Sequence, residues 1–243
     1  MEAWSLSDTG RVRSQNQDCC HVEQFDDGQM LAVVCDGMGG ARAGDVASRM
    51  AVEIFTDEVR RFMKPHMTPA QAEKLLRSAL ELANRTVYEQ SQLSDDFKGM
   101  GTTLVAVLVL EHSGMFINVG DSRAYHLSTG GVTQVTRDHS LVELMVQQGR
   151  LTPEQAKKYP GKNLITRAVG TEANVNGDCY QTELQEGDYL LLCSDGLSNL
   201  FSDQELLFEV IHGTDKDSCC ERLVKLALNR GAPDNVTVAL IQI

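Results

Sequence analysis

At 243 residues and a formal net charge of −12, the chain is long enough to bury a sizeable core and too acidic to offer a broad polyanion-binding face, which argues against nucleic acid or an acidic lipid surface as a partner. Its longest unbroken aliphatic run, Leu104 to Leu110, is far too short to span a bilayer, and Met1-Glu2-Ala3-Trp4-Ser5 lacks a basic start followed by an apolar stretch. The expectation is one soluble, unexported, cytoplasmic domain over residues 1–243, uninterrupted by a Pro-rich or Ser/Gly-rich linker and without a membrane partner.

In chain order, Trp4, Leu6 and Val12 alternate with polar residues. After the polar segment Arg13 to Asp18, the residues Cys20, Val22 and Phe25 lead through the turn Asp26-Asp27-Gly28 into the apolar run Leu31 to Cys35. This predicts strands and a hairpin whose strands end in acids, Asp18 and Asp36. Asp36 is followed by Gly37, Gly39 and Gly40, so backbone carbonyls and an ion could approach it. Taken alone, it fits a metal bridge, a helix cap or an ordinary turn aspartate.

Val46, Ala47, Met50, Ala51, Ile54, Phe55, Val59, Phe62 and Met63 then recur at helical spacing. Thr68-Pro69-Ala70-Gln71 marks the start of a second helix by a capping box, with Ala72, Leu75, Leu76, Ala79, Leu82, Ala83 and Val87 as its apolar face. Residues 100–135 return to strands. Leu104 to Leu110 is apolar on both faces, Met115 to Val119 runs into Gly120-Asp121-Ser122-Arg123, and Ala124 to Leu127 reaches Gly130-Gly131, which reads as a meander.

Residues 141–163 change character. Ser140 and Glu143 form a capping box, Thr152-Pro153-Glu154-Gln155 starts another short helix, and Arg150, Lys157, Lys158 and Lys162 are basic. The segment reads as a surface excursion that either meets an anionic partner or is a solvated loop. Strands resume at Cys179 to Leu184 and at Tyr189 to Cys193, the latter ending in Ser194-Asp195-Gly196. Ser202 and Glu205 cap a third long helix, Asp217 to Leu228 supplies a fourth, and Val236 to Ile243 closes the chain as a strand after Asp234.

Strand runs apolar on both faces, together with amphipathic helices, fit an α+β, four-layer αββα sandwich: two blocks of strands form two antiparallel sheets packed face to face and flanked by helix pairs. Asp18, Asp36, Asp121, Asp195 and Asp234 all lie where an apolar strand meets a polar turn, so one end of such a sandwich could gather them. Oxygen ligands without sulfur or imidazole suit Mg²⁺ or Mn²⁺. Two such ions about 3.5–4 Å apart lower the pKa of a water and hold a phosphoryl oxygen. Arg13 supplies a planar, two-pronged donor for phosphate, or else a surface salt bridge. An odd count of seven cysteines, with neither Cys-x-x-Cys nor zinc spacing, reads as free thiols, Cys35 and Cys193 among them as small buried hydrophobes.

These motifs, taken together, resemble the metal-dependent serine/threonine protein phosphatases of the phosphatase 2C (PPM) family, in its compact bacterial form. Their order along the chain is Arg13-x-x-Asn16-Gln17-Asp18, Asp36-Gly37-Met38-Gly39-Gly40, Gly101-Thr102-Thr103, Gly120-Asp121-Ser122-Arg123, Asp138-His139-Ser140, Ile165 to Gly170, Ser194-Asp195-Gly196-Leu197 and Asp234-Asn235-Val236-Thr237. The resemblance implies hydrolysis of phosphoserine and phosphothreonine by a metal-activated water bridging two Mn²⁺ or Mg²⁺ ions.

It also implies a role for each matched residue. Asp36 bridges the metals, Gly37 lends its carbonyl, Asp195 and Asp234 are further ligands, and Asp18 binds directly or through water. Asp121, with Asp195 shared, holds a third ion, and Arg13 is the catalytic and substrate-binding grip on phosphate. Residues 141–163 become a flap, and the partners become phosphoproteins made by a serine/threonine kinase, met by a monomer.

Three positions depart from the family pattern: Gln17 replaces a glutamate, Met38 a histidine discussed as general acid, and Ala41 another histidine. The competing readings are a pseudophosphatase acting as a regulatory binding module and a cysteine-nucleophile phosphatase. The latter is disfavoured because Cys35 and Arg42 miss the required spacing by one.

Overall fold

The computed structural model of the chain describes residues 1–39, 43–213 and 215–243; the Gly40, Ala41 and Arg42 discussed above lie outside the described residues. After β1 (Glu2–Asp8), the hairpin of β2 (Asp18–Gln24) and β3 (Met30–Met38) is followed by helices α1 (Ala43–Phe62) and α2 (Pro69–Ser91). Next come β4 (Gly101–Thr102), β5 (Leu104–Val109), β6 (Ser113–Val119), β7 (Arg123–Ser128) and β8 (Gly131–Gln134). The excursion carries α3 (Leu141–Gln147) and α4 (Pro153–Ala156). The chain then completes β9 (Asp178–Glu183), β10 (Tyr189–Cys193), α5 (Asp195–Ser198), α6 (Asp203–His212), α7 (Cys219–Asn229) and β11 (Val236–Gln242).

One antiparallel sheet has the order β1-β11-β10-β7-β8 and the other β2-β3-β5-β6-β9, with β4 paired to β3. Side-chain parity separates three apolar layers. Met30, Ala32, Val34, Val105, Val107 and Phe116 meet Ala124, Leu190, Leu192, Ala239 and Ile241 between the sheets. Leu31, Val33 and Cys35 face the other way, under Ala47, Ala51 and Phe55 of α1 and Leu76, Ala79 and Ala83 of α2. Leu191, Val238 and Leu240 lie under Leu206 and Val210 of α6 and Leu223, Val224 and Ala227 of α7. No strand of either sheet centre has a wet face, which is why their sequences are apolar throughout. This is the αββα sandwich expected, and among the described residues no helix is long and apolar enough to cross a membrane.

The connectivity differs from two sequential blocks of strands. β1 leaves the hairpin that follows it and pairs along its whole length with β11, Glu2 opposite Gln242 and Asp8 opposite Val236. The meander read over 100–135 is also corrected: β5 and β6 pair, but β7 pairs with β10 and β8, so the chain changes sheets at Gly120-Asp121-Ser122. Gly120, at φ +103°, makes that change possible, because three residues leave no room for a wider path. β9 and β10 likewise lie in different sheets.

Smaller differences follow from packing. Val12 is 71% exposed and lies outside the strands, in the loop that carries Arg13, while Phe62 ends α1 at 46% exposed. On α2 it is Leu80 that is buried, where the apolar spacing predicts Leu82. The Thr68, Thr152 and Ser202 capping boxes form. At α3 only the Ser140 half forms, because the Glu143 carboxylate turns to Arg137 at 3.4 Å. The last helix begins at Cys219, two residues later than expected.

Candidate metal centre

The inter-sheet layer changes from apolar to polar at one end, and the change is written in alternate residues. Past Met30, Ala32 and Val34 the next position of that face on β3 is Asp36; before Val22 and Cys20 on β2 it is Asp18; beyond Leu190 and Leu192 it is Ser194; before Ile241 and Ala239 it is Thr237. Asp18 and Asp36 are direct cross-strand partners. Thr103 fixes the Asp36 backbone twice: its Oγ1 accepts from the Asp36 N–H at 2.9 Å and its N–H donates to the Asp36 carbonyl at 2.9 Å. From the opposite sheet, Ser194 Oγ donates to Asp18 Oδ2 at 2.8 Å and accepts from the Thr237 N–H at 3.0 Å.

Three other acids arrive on turns. Asp121 sits at the change of sheets between β6 and β7. Asp195 opens α5, its Oδ2 accepting from Asn199 Nδ2 at 3.0 Å. Asp234 precedes β11 and accepts from Arg13 Nη2 at 2.8 Å. Gly196 brings these last two together: a Cβ there would collide with the Asn235 carbonyl and lie 3.6 Å from Asp234 Cβ. Gly37 is packed so closely against the Gly44 and Gln17 backbones that no side chain fits.

The electrostatics register the crowding. Burial is the main cause that raises Asp36 well above the usual carboxylate range, reinforced by the charges of Asp18, Asp195, Asp121 and Asp234. Burial likewise pushes Asp18 up to about 6, offset in part by hydrogen bonds from Thr237 and Ser194 and reinforced by Asp195 and Asp234. Asp121 rises to about 7 by burial, then by Asp195 and Asp138. Asp195 rises by burial and by Asp234, relieved by Arg123 and by Lys162 of the excursion. Asp234, by hydrogen bond and charge, holds the Arg13 guanidinium protonated, with Asp36 and Asp195 adding to the effect.

Two observations test whether these residues fit hard cations. Asp18 is 7% exposed and its Oδ1 is buried without a hydrogen-bond partner, an arrangement a buried carboxylate oxygen tolerates poorly. The side chains gathered here offer carboxylate oxygens, which suit Mg²⁺ or Mn²⁺ and not zinc. Among the described residues no three such side chains stand ready-made as an ion cage. Asp18 Oδ2, Asp195 Oδ2 and Asp234 Oδ2 are each turned to a neutral or cationic donor, Ser194, Asn199 and Arg13. The acids are therefore gathered and mutually repelling, and the donor set fits.

Two long-range pairings that no local pattern predicts, Arg123 with Asp138 and His139 with Asp178, support this end. Arg123 forms a two-pronged pair with Asp138, Nη2 to Oδ2 at 2.7 Å and Nε to Oδ1 at 2.9 Å. His139 accepts from the Gly120 N–H at Nδ1 (3.2 Å) and meets Asp178 at Nε2 (3.1 Å), joining the Asp121 turn to the start of the excursion. The base of that excursion is pinned by a bridge between Ser140 and Ile165. Each of these residues lies in or beside a motif visible in the sequence, but their pairing is long-range.

The fold and this gathering of acids define a protein phosphatase 2C: the profile of that family, Protein phosphatase 2C, matches residues 10–226, and the chain belongs to it. The serine/threonine phosphatase stp of Listeria welshimeri is 36% identical over 242 residues, covering 100% of this chain and 96% of that protein. The crystal structure of the serine/threonine phosphatase Stp1 from Staphylococcus aureus superposes with a TM-score of 0.92 at 38% identity, covering 100% of this chain and 94% of the other. The catalytic domain of the serine threonine protein phosphatase PstP, in complex with two manganese ions, superposes with a TM-score of 0.83 at 34% identity over 98% of this chain and 96% of that one.

Proposed function

We infer that this chain is a metal-dependent protein serine/threonine phosphatase, hydrolysing phosphoserine and phosphothreonine with Mn²⁺ or Mg²⁺. The observation that carries the reading is the placement of Asp18 and Asp36 side by side at the polar end of the inter-sheet layer, with Asp121, Asp195 and Asp234 close enough to raise Asp36. Asp36, Asp195, Asp234, the Gly37 carbonyl and Asp18 would hold two ions, and Asp121 with Asp195 a third. When bound, such ions supply a water of lowered pKa and positive charge for the phosphoryl oxygens.

The chain's own contribution is then orientation. Arg13, exposed at the rim and paired with Asp234, presents a planar guanidinium to the phosphate dianion. Thr103, Ser194 and Thr237 fix the carboxylates that would meet the metals. The excursion over 141–163 acts as a flap beside the site, a role supported by the influence of Lys162 on Asp195. Each of the five acids assigned to metal is present in the sequence, which supports an enzyme over a pseudophosphatase.

Phosphoproteins made by a serine/threonine kinase are the proposed substrates, met by a monomer in the cytoplasm. Phosphate release from a phosphothreonine peptide tests the activity: it is expected with Mn²⁺ or Mg²⁺ and lost with chelator, and chelator-resistant turnover would contradict it.

A further inference from the structure

We propose that Asn235 is a positioning residue that sets Arg13 for the phosphate by holding the loop of residues 9–17, an inference that rests on the reading of Arg13 above. That loop carries no helix or strand between Asp8 and Asp18, so its shape must come from elsewhere. Asn235 is 4% exposed and spends its whole amide on the loop. Its Nδ2 donates to the carbonyls of Thr9 and Gln15, each at 2.9 Å, and its Oδ1 accepts from the Gln17 N–H at 2.9 Å.

Only a side chain with two donors and one acceptor at this length can serve three backbone groups spread over nine residues; aspartate would set oxygen against both carbonyls. The loop is pressed on the same turn at two more points. Arg11 N–H donates to the Ala232 carbonyl at 2.9 Å, and Gly10, at φ +81°, leaves no space for a Cβ against the Asp234 and Ala232 backbones.

Arg13 itself is exposed, its side chain 56% accessible, and reaches the site through Asp234. A long side chain at a rim is placed no better than the backbone that carries it, and a misplacement of about 1 Å costs up to a hundredfold in rate. Asn235 also donates its own N–H to Asp234 Oδ1 at 2.9 Å, so one residue braces both the acid and the loop.

The test is a double-mutant cycle of Asn235→Ala and Arg13→Ala in the Mn²⁺-loaded enzyme acting on a phosphothreonine peptide, joined to tryptic cleavage after Arg11 and Arg13 in the metal-free chain. Arg13→Ala is expected to raise KM. Asn235→Ala is expected to raise KM about tenfold with kcat within about threefold, to add nothing in the Arg13→Ala background, and to speed tryptic cleavage of the loop about tenfold. Where Asn235→Ala does not fold, Asn235→Ser, which keeps a hydroxyl but cannot reach both carbonyls, gives the same readings.

If Arg13→Ala leaves KM unchanged, the Arg13 reading falls and this inference with it. If Arg13→Ala raises KM while the Asn235 variants do not, the inference alone falls. The same follows if the two effects multiply in the double variant or if loop cleavage is unchanged.

Discussion

Asp18 and Asp36 stand directly opposite each other on neighbouring antiparallel strands, both turned into the space between the sheets, and both raised by burial before any charge acts on them. Two facing carboxylates in such a place oppose folding at neutral pH. Their neighbours Cys19 and Cys35, also cross-strand partners, belong to the core on the helix side, so a one-residue slip in register would exchange acids for thiols.

That opposition has a definite sign with pH. Asp18 and Asp121 have folded-state values of about 6 and about 7, above the reference of 3.8. A carboxyl raised in the folded state stabilises fully below the unfolded pKa, and this stabilisation is lost as pH rises through the folded pKa, here from about pH 4 to about pH 7. Metal-free Asp18→Asn is therefore expected to be more stable than the parent at pH 8, on the order of 2 kcal/mol, and to converge with it at pH 4. Thermal unfolding in chelator at both pH values measures this; equal stability at pH 8 would contradict it.

Gly196→Ala is expected to destabilise by roughly 1–3 kcal/mol, because the new methyl meets the Asn235 carbonyl. Since Gly196 is where the Asp195 turn approaches Asp234, the same change is expected to weaken Mn²⁺ binding. Urea unfolding and Mn²⁺ calorimetry report the two effects separately, and a neutral result in both would remove the close-approach argument.

Asp138→Ala leaves the largely buried Arg123 guanidinium without its two-pronged partner. The expected loss is roughly 2–4 kcal/mol in urea unfolding, the usual penalty of a broken, largely buried pair. A loss below about 0.5 kcal/mol would place this pair with ordinary surface ion pairs.

Much of this was legible in the sequence because the signals are local. A capping box reports its own helix start, as at Thr68 and Ser202, and an acid after an apolar run reports a strand end, as at Asp195; at Asp36 the strand runs on to Met38, because Gly37 and Met38 pair with β4. What was not legible is partner choice. Gly120 to Ser122 looks like a hairpin turn, yet the chain changes sheets there: β6 is paired on both sides, by β5 and β9, and β7 pairs instead with β10 and β8. The contacts of Asn235 with residues 9, 15 and 17 span more than two hundred positions, a distance over which no local pattern speaks.

The most direct measurement is Mn²⁺ binding stoichiometry by calorimetry for the parent and for Asp36→Asn, read beside turnover. The parent is expected to bind at least two ions per chain, and Asp36→Asn to lose at least one of them together with about a thousandfold or more of its phosphatase rate. Unchanged stoichiometry and rate in Asp36→Asn would contradict the claim that these carboxylates form one metal centre.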